Sequence, residues 1–202
     1  MKAKIFVILV GVLGCLNIYS QNPVLSIDDM GWKSNINGAY YKDIGNEFDD
    51  FLGTWLFTQG SDTLKITLVK NEQYFNGNYY EDLVVGGYQY VANGVEKINT
   101  LADASIPNIG RNAQIWGQYI YKNCVYLPAD DCINGEARLS LVLSEPNSPH
   151  HSASFILHKR TVNGQPALKA VLVFTYHKTD TPGVLTPSPT LPWQQTYVLI
   201  KQ

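Results

Sequence analysis

The stretch "NEFDDFLGTWLF", residues 46–57, opens the first patterned part of this chain. An acidic turn at Asp49 and Asp50 precedes Gly53, and Trp55 follows at the start of an apolar run. Glycine allows a tight bend into a strand, and tryptophan supplies a large apolar side chain that folded proteins bury. The stretch therefore predicts a strand that starts at a bend and carries a buried ring.

Short runs of alternating apolar and polar residues follow one another along the rest of the chain, as β-strands require. The runs are GTWLFTQ (53–59), TLKITLVK (63–70), NYYEDLVVGGYQYV (78–91), AQIWGQYIY (113–121), ARLSLVL (137–143), ASFILHKR (153–160), ALKAVLVFTY (167–176) and TYVLIK (196–201). Asn93-Gly94 and Asn163-Gly164 are the residue pair preferred in tight hairpin turns. We predict an all-β fold, a single antiparallel up-and-down β-barrel of about eight strands, with a β-sandwich as the alternative.

The chain divides by pattern into three parts. Residues 1–21 begin with Lys2 and Lys4 and continue as an apolar run to Leu16, the layout of a secretory signal peptide. Residues 22–45 show no period and predict an irregular lead-in, and residues 46–202 form the predicted β-barrel domain. We therefore predict an exported protein of the periplasm, cell surface or extracellular space.

The end of the signal peptide has two interpretations. Ser20 is a small residue that suits ordinary cleavage before Gln21, which we favour. The alternative is a lipoprotein, because Val12-Leu13-Gly14-Cys15 resembles a loose lipobox that would make Cys15 the lipidated first residue and a lipid anchor.

The charge balance argues against nucleic acid as a partner. Removal of Lys2 and Lys4 leaves 13 basic and 17 acidic residues, a net charge of −4 without a basic patch. Phosphate binding needs clustered lysine and arginine. No later run is long or apolar enough to predict a transmembrane span, and the sequence leaves the oligomeric state open.

Two cysteines remain after the signal peptide, Cys124 and Cys132. An even pair in an oxidising compartment predicts a disulfide. The segment between them carries Pro128 and paired acids, so it predicts a turn that brings the sulfurs together. A reduced pair, or a metal site assisted by histidine, is the alternative.

The histidines and paired acids predict no metal site. His150 and His151 are adjacent in a loop-like stretch, and adjacent side chains do not converge easily on one ion. Counting outward from Asn163-Gly164 places His158 opposite residue 169 rather than His177. The acidic pairs Asp28-Asp29, Asp49-Asp50 and Asp130-Asp131 lack the alternating spacing of a calcium loop.

The sequence carries no recognisable catalytic or cofactor motif. It has no Gly-x-Ser-x-Gly, no phosphate-binding glycine loop and no paired cysteine and histidine. Glu47 and Glu81 are candidate catalytic acids for glycoside hydrolysis, but nothing in the sequence marks them as a pair across a cleft. We predict no catalytic residue and no cofactor.

Gly53-Thr54-Trp55 resembles the Gly-x-Trp signature of the lipocalins and the wider calycins. In that family the tryptophan closes one end of the barrel, and a basic side chain of the last strand crosses its ring. The resemblance implies that Gly53, Trp55 and Lys201 close the barrel. This chain has lysine in place of the usual arginine, and it lacks the family's Thr-Asp-Tyr turn.

The whole chain is also similar to an uncharacterised family of small exported proteins of the Bacteroidota. The stretches that carry this similarity are YYKDIGNEFDDFLGTW, GNYYEDLVVGGYQYVANGVEKINTL and the C-terminal VLIKQ. The similarity implies export and a β-fold, and it implies no activity.

Three functions follow, in order of preference. The first is a non-catalytic barrel that binds a small apolar or amphipathic ligand in its lumen, with lining residues that the sequence does not identify. The second is a structural or interaction protein of the cell envelope whose barrel is filled by side chains, since a barrel of about eight strands can be hollow or filled. A hydrolase is third.

Overall fold

A computed structural model describes residues 22–30, 35–124, 131–148, 151–177, 189–192 and 195–202. Helical structure in this part of the chain is limited to short 3-10 turns, and no described helix has the length and apolar character to cross a membrane. The strands are β1 (Val24–Ser26), β2 (Tyr40–Lys42), β3 (Gly53–Gln59), β4 (Asp62–Phe75), β5 (Tyr80–Ala92), β6 (Val95–Asn99), β7 (Ile115–Tyr121), β8 (Arg138–Ser144), β9 (His151–Val162), β10 (Gln165–His177) and β11 (Thr196–Lys201).

Eight of these strands close into an antiparallel barrel in the order β3-β4-β5-β7-β8-β9-β10-β11, with β11 returning to β3. Lys201 pairs with Trp55 across the last of these contacts, and Val84 pairs with Gly117 where β5 meets β7. The eight strands correspond to the eight alternating runs of the sequence. The predicted barrel is therefore confirmed, and the β-sandwich alternative is wrong.

The hairpin turns are those that the sequence predicts. Asn163 and Gly164 both have positive φ and connect β9 to β10, so that Val162 pairs with Gln165. The resulting register pairs His158 with Lys169, as counting from the turn predicts. Asn93 and Gly94 likewise connect β5 to β6.

Three strands lie outside the barrel, and two of them fall within the segment predicted to be irregular. Strands β1 and β2 pair in parallel with each other, and β2 then pairs with the start of β5. The carboxylate of Asp82, fully buried, accepts hydrogen bonds from the Tyr40 hydroxyl at 2.6 Å and the Asp43 backbone N–H at 2.9 Å. These bonds fix the lead-in to the barrel wall, so it is more ordered than its sequence suggests.

The interior of the barrel is a continuous apolar core. The inward residues of β4 and β8 are Leu64, Ile66 and Leu68, and Leu139, Leu141 and Leu143, and each is at most 1% exposed. Aromatic side chains from several strands complete the core: Trp55, Tyr88, Tyr90, Phe155 and Tyr197. The alternation read from the sequence thus becomes a close-packed interior.

Residues 43–52 close the end of the barrel at which β3 begins, here called the closed end. Phe48 and Phe51 are fully buried and belong to the interior core. Residues Asp49–Phe51 form a 3-10 turn that carries two acids across the barrel end. The acidic turn of the opening stretch is therefore the base of the barrel.

Candidate functional site

A groove of about 320 Å³ lies at the closed end, and we call it the closed-end groove. Its volume falls near the lower limit of small-molecule sites. Three parts of the chain surround it: the acidic 3-10 turn, the hairpin between β9 and β10, and the end of β11. Its lining residues are Asp49, Asp50, Trp55, Lys159, Arg160, Thr161, Gly164, Pro166, Ala167 and Lys201.

Trp55 forms the floor of the closed-end groove. It is 2% exposed, and its Nε1–H donates a hydrogen bond to the backbone oxygen of Phe51 at 2.9 Å. The Lys201 Nζ lies 5.1 Å from the centroid of the Trp55 ring, within the range of a cation–π interaction. The three residues that the calycin resemblance singles out, Gly53, Trp55 and Lys201, therefore lie together.

Gly53 leaves the space that the Lys201 side chain occupies. A methyl group at Gly53 would lie 3.4 Å from the Lys201 Cε, in van der Waals contact. The φ of Gly53 is +111°, a conformation that residues with a side chain rarely adopt. The bend predicted at this glycine therefore rests on its backbone conformation, and the Lys201 stem passes beside it.

Three inward-facing columns of the barrel end in lysine at the closed end: Lys70 on β4, Lys159 on β9 and Lys201 on β11. Lys70 pairs with Asp49 at 3.2 Å, and Lys159 pairs with Asp50. No carboxylate of the described chain lies within ion-pair distance of Lys201, whose contact is the indole. Of these three lysines, Lys201 is therefore the one that has no carboxylate partner among the described residues.

Lys70 is the most constrained of the three. Its ammonium also pairs with the buried Asp43 at 2.9 Å and lies 5.8 Å from the Phe48 ring. Burial lowers the pKa of Lys70, but the hydrogen bonds that its ammonium donates to Asp43 and Asp49 outweigh this effect and raise it. Lys70 therefore stays charged and fixes the acidic segment to β4.

The opposite end of the barrel, here called the far end, is covered by residues 189–192. Leu191 is 1% exposed and belongs to the interior core. The buried carboxylate of Glu145 accepts hydrogen bonds from the backbone N–H groups of Thr190 at 2.6 Å and Leu191 at 2.8 Å. Burial is also the main cause of the raised pKa of Tyr197, whose hydroxyl lies inside. The interior is therefore closed at both ends.

The predicted disulfide between Cys124 and Cys132 is confirmed, with the two Cα atoms 5.9 Å apart. The residue before Cys132 is held against the barrel wall, since Asp131 pairs with Lys169 at 2.6 Å and with Arg160 at 3.1 Å. The hydrogen bond from Lys169 is the main reason that the pKa of Asp131 is lowered. The disulfide thus joins Cys124 to the residue that follows Asp131, which is itself paired with β9 and β10.

The outer face of β8 and β9 carries two buried basic side chains, Arg138 and His158, which pair across these strands. Both are 0% exposed, and neither ring nitrogen of His158 has a hydrogen-bond partner. Burial lowers the pKa of His158, and the charge of Arg160 lowers it further. The imidazole is therefore held neutral here, and it contacts no carboxylate cluster that could bind a metal.

Metal-binding geometry is absent from the described residues, which bring together no group of three or more histidine, cysteine, aspartate or glutamate side chains suited to an ion. Glu47 pairs with Lys122 at 2.6 Å, and the fully buried Glu81 pairs with Arg111 at 2.7 Å. The two acids are thus engaged in separate ion pairs. Cys15 lies outside the described residues.

Sequence reasoning missed the partners of Trp55 and Lys201. The sequence pattern indicates only a turn at Asp49 and Asp50. It indicates only strand positions for Lys70 and Lys159. The available signal was that both lysines continue the inward alternation of their strands. An inward-facing lysine at the end of an apolar column indicates a barrel end.

The whole chain, residues 1–202, matches the model of a family of unknown function, DUF6705. The protein belongs to this family. No curated protein and no solved structure matches the chain. The resemblance to the calycins therefore rests on its Gly-x-Trp stretch and remains a prediction, while the barrel itself stands on the strand pairing.

Proposed function

We propose that this DUF6705 protein is an exported, non-catalytic binding module that acts at its surface, through the closed-end groove, with a barrel filled by its own side chains. The observation that carries this proposal is the packed interior. Inward residues of the eight strands form one apolar cluster, and Leu191 and Phe51 close its two ends. This packing favours the filled barrel over the hollow, ligand-carrying barrel that the sequence placed first.

Export is supported by two independent features. The basic start and apolar run of residues 1–21 have the layout of a signal peptide. The disulfide between Cys124 and Cys132 suits an oxidising compartment. N-terminal sequencing of the mature protein tests the proposal. We expect a chain that starts at Gln21, whereas a start at Met1 would contradict export and a lipidated Cys15 would identify a lipoprotein.

The filled interior, on which this proposal depends, is tested by asking whether it accepts an apolar molecule. We expect mass spectrometry of the protein from its native host to find no small apolar molecule at one equivalent, and benzene titrations to leave the core methyl signals unshifted. Leu141→Ala is the positive control, because it opens space beside Phe155, its partner across β8 and β9, and such apolar cavities bind benzene. One tightly held amphipathic molecule per protein would instead support the hollow barrel.

A further inference from the structure

We propose that the closed-end groove binds a carboxylate, and that Lys201 is the residue that holds it. This inference rests on the proposed surface function and names the chemistry of the ligand. It begins from the charges that the barrel end brings together. Lysines end three inward columns there, and Lys70 pairs with Asp43 and Asp49. Lys159 pairs with Asp50, whereas no carboxylate of the described chain lies within ion-pair distance of Lys201.

The Lys201 ammonium already lies at the groove in the structure without a ligand. Its stem passes beside Gly53, which has no side chain, and its ammonium lies over the Trp55 ring. The indole is itself held by its hydrogen bond to Phe51. A charge that is already in place loses little conformational freedom on binding, which favours affinity. Because the ammonium contacts only the face of the ring, its N–H groups can still donate hydrogen bonds toward the groove.

The neighbouring charges favour an anion at this point. Lys159 lines the same groove, and it pairs with Asp50 in a contact where both side chains are about half exposed, at 46% and 61%. Exposed pairs of this kind contribute little and exchange readily. A carboxylate that enters beside Lys201 can therefore also attract the Lys159 ammonium, while Asp49 stays bound to Lys70.

The test follows the Trp55 indole N–H signal by NMR during titration with glutarate, a dicarboxylate, and with glutaramide, its uncharged diamide. We expect glutarate to shift the signal saturably, added salt to weaken this shift, and glutaramide to leave it in place. Lys201→Gln should weaken glutarate binding about tenfold or more, the equivalent of a lost charge-assisted hydrogen bond. Lys201→Arg should retain it.

Lys97→Gln is the matched control, because it makes the same charge change at an exposed position on β6. It should bind glutarate as the unaltered protein does. An indole signal that neither glutarate nor an acidic peptide moves would overturn the inference, and so would a glutarate shift that persists in Lys201→Gln. Either result leaves the proposed function standing, since the benzene and mass-spectrometry measurements examine the interior.

A glutamate-rich peptide distinguishes the source of the carboxylate. If the peptide binds about tenfold more tightly than glutarate, and if Lys201→Gln abolishes this binding, the groove is assigned to an acidic segment of a protein partner. Comparable binding of the two probes assigns it to a free small acid. Both results support a carboxylate site at Lys201.

Discussion

At the scale of single residues, Trp55 and Lys201 touch each other but contribute differently. Trp55 fills the base of the core, whereas Lys201 is exposed and contributes a cation to one face of the ring. Loss of a buried aromatic side chain costs about 3–5 kcal/mol, and an exposed cation–π contact contributes about 0.5–1 kcal/mol. The stability of the barrel should therefore depend on the ring far more than on the charge.

The first prediction compares two variants at this contact. Trp55→Ala should lower the free energy of unfolding by about 3–5 kcal/mol, because it leaves a cavity among Phe48, Phe51 and the inward leucines. Lys201→Met should change it by less than about 1 kcal/mol. Urea denaturation followed by circular dichroism measures both. Equal losses in the two variants would show that the ring does not fill the core.

A second residue-scale prediction concerns His158. Because its pKa is lowered in the folded protein, the unfolded chain binds more protons, so the folded state loses stability as pH falls below the ordinary histidine value of about 6.5. The loss continues down to the lowered pKa, at up to about 1.4 kcal/mol per pH unit. The groups around the imidazole are Arg138, Arg160, Glu136 and Asp131.

His158→Leu should remove this dependence. Leucine also removes two buried nitrogens that have no hydrogen-bond partner, so stability at pH 7 should be unchanged or higher. Denaturation between pH 5 and pH 7 gives the slope for each protein, and the remaining histidines are common to both. An unaltered slope in the variant would mean that His158 is not the titrating group.

At the scale of elements, the sequence predicted the strands whose pattern is long enough to show alternation. All eight barrel strands and the Asn163-Gly164 turn are recovered, because one face of each strand is buried. Strands β1 and β2 have three residues each, too few for a period to appear. Strand β2 is held by hydrogen bonds that Tyr40 and Asp43 donate to Asp82. This acid lies about forty residues further along the sequence and is a neighbour only in the folded chain.

The same limit applies to the closed-end groove. The Gly-x-Trp stretch predicted Trp55 and, through the calycin resemblance, Lys201. The pairing of Lys159 with Asp50 joins positions 109 residues apart. Neither residue type is unusual at its place in the sequence, so only the closure of the barrel identifies the pair.

The third prediction concerns the disulfide. In the chain-entropy model, closing a loop of about nine residues stabilises the fold by roughly 2.5 kcal/mol. Replacing Cys124 and Cys132 together by serine should therefore lower the free energy of unfolding by about this amount, while the ion pairs of Asp131 and Glu136 with Arg160 remain on either side of position 132. Denaturation under non-reducing conditions measures the loss. Thiol labelling of both cysteines in the native protein would contradict the bridge.

At the scale of the whole molecule, closure of the barrel depends on two short contacts, β11 with β3 through two residue pairs and β5 with β7 through three. Strand β5 pairs with β2 near its start and with β6 at its end, which leaves only this short stretch for β7. Glycines beside the second contact allow the flanking strands to approach closely, β4 against β5 and β8 against β7. A methyl group on Gly86 would fall far inside van der Waals contact with the backbone oxygen of Thr67, and one on Gly117 would lie 2.6 Å from that of Ser140.

The fourth prediction is that Gly86→Ala destabilises β5 at its closest approach to β4, beside the contact with β7. The added methyl group meets backbone rather than a movable side chain, so the loss should reach about 3 kcal/mol, the upper part of the usual range for overpacked sites. Gly45→Ala is the matched control, because its methyl group would meet only the Glu47 side chain, and it should stay within about 0.5 kcal/mol. Denaturation gives the free energy of unfolding of both variants. Hydrogen exchange of the β7 amides reports whether the neighbouring contact between β5 and β7 also opens. If Gly86→Ala kept full stability and protection, β5 and β4 would not be packed this closely at Gly86, and the added methyl group would have open space there.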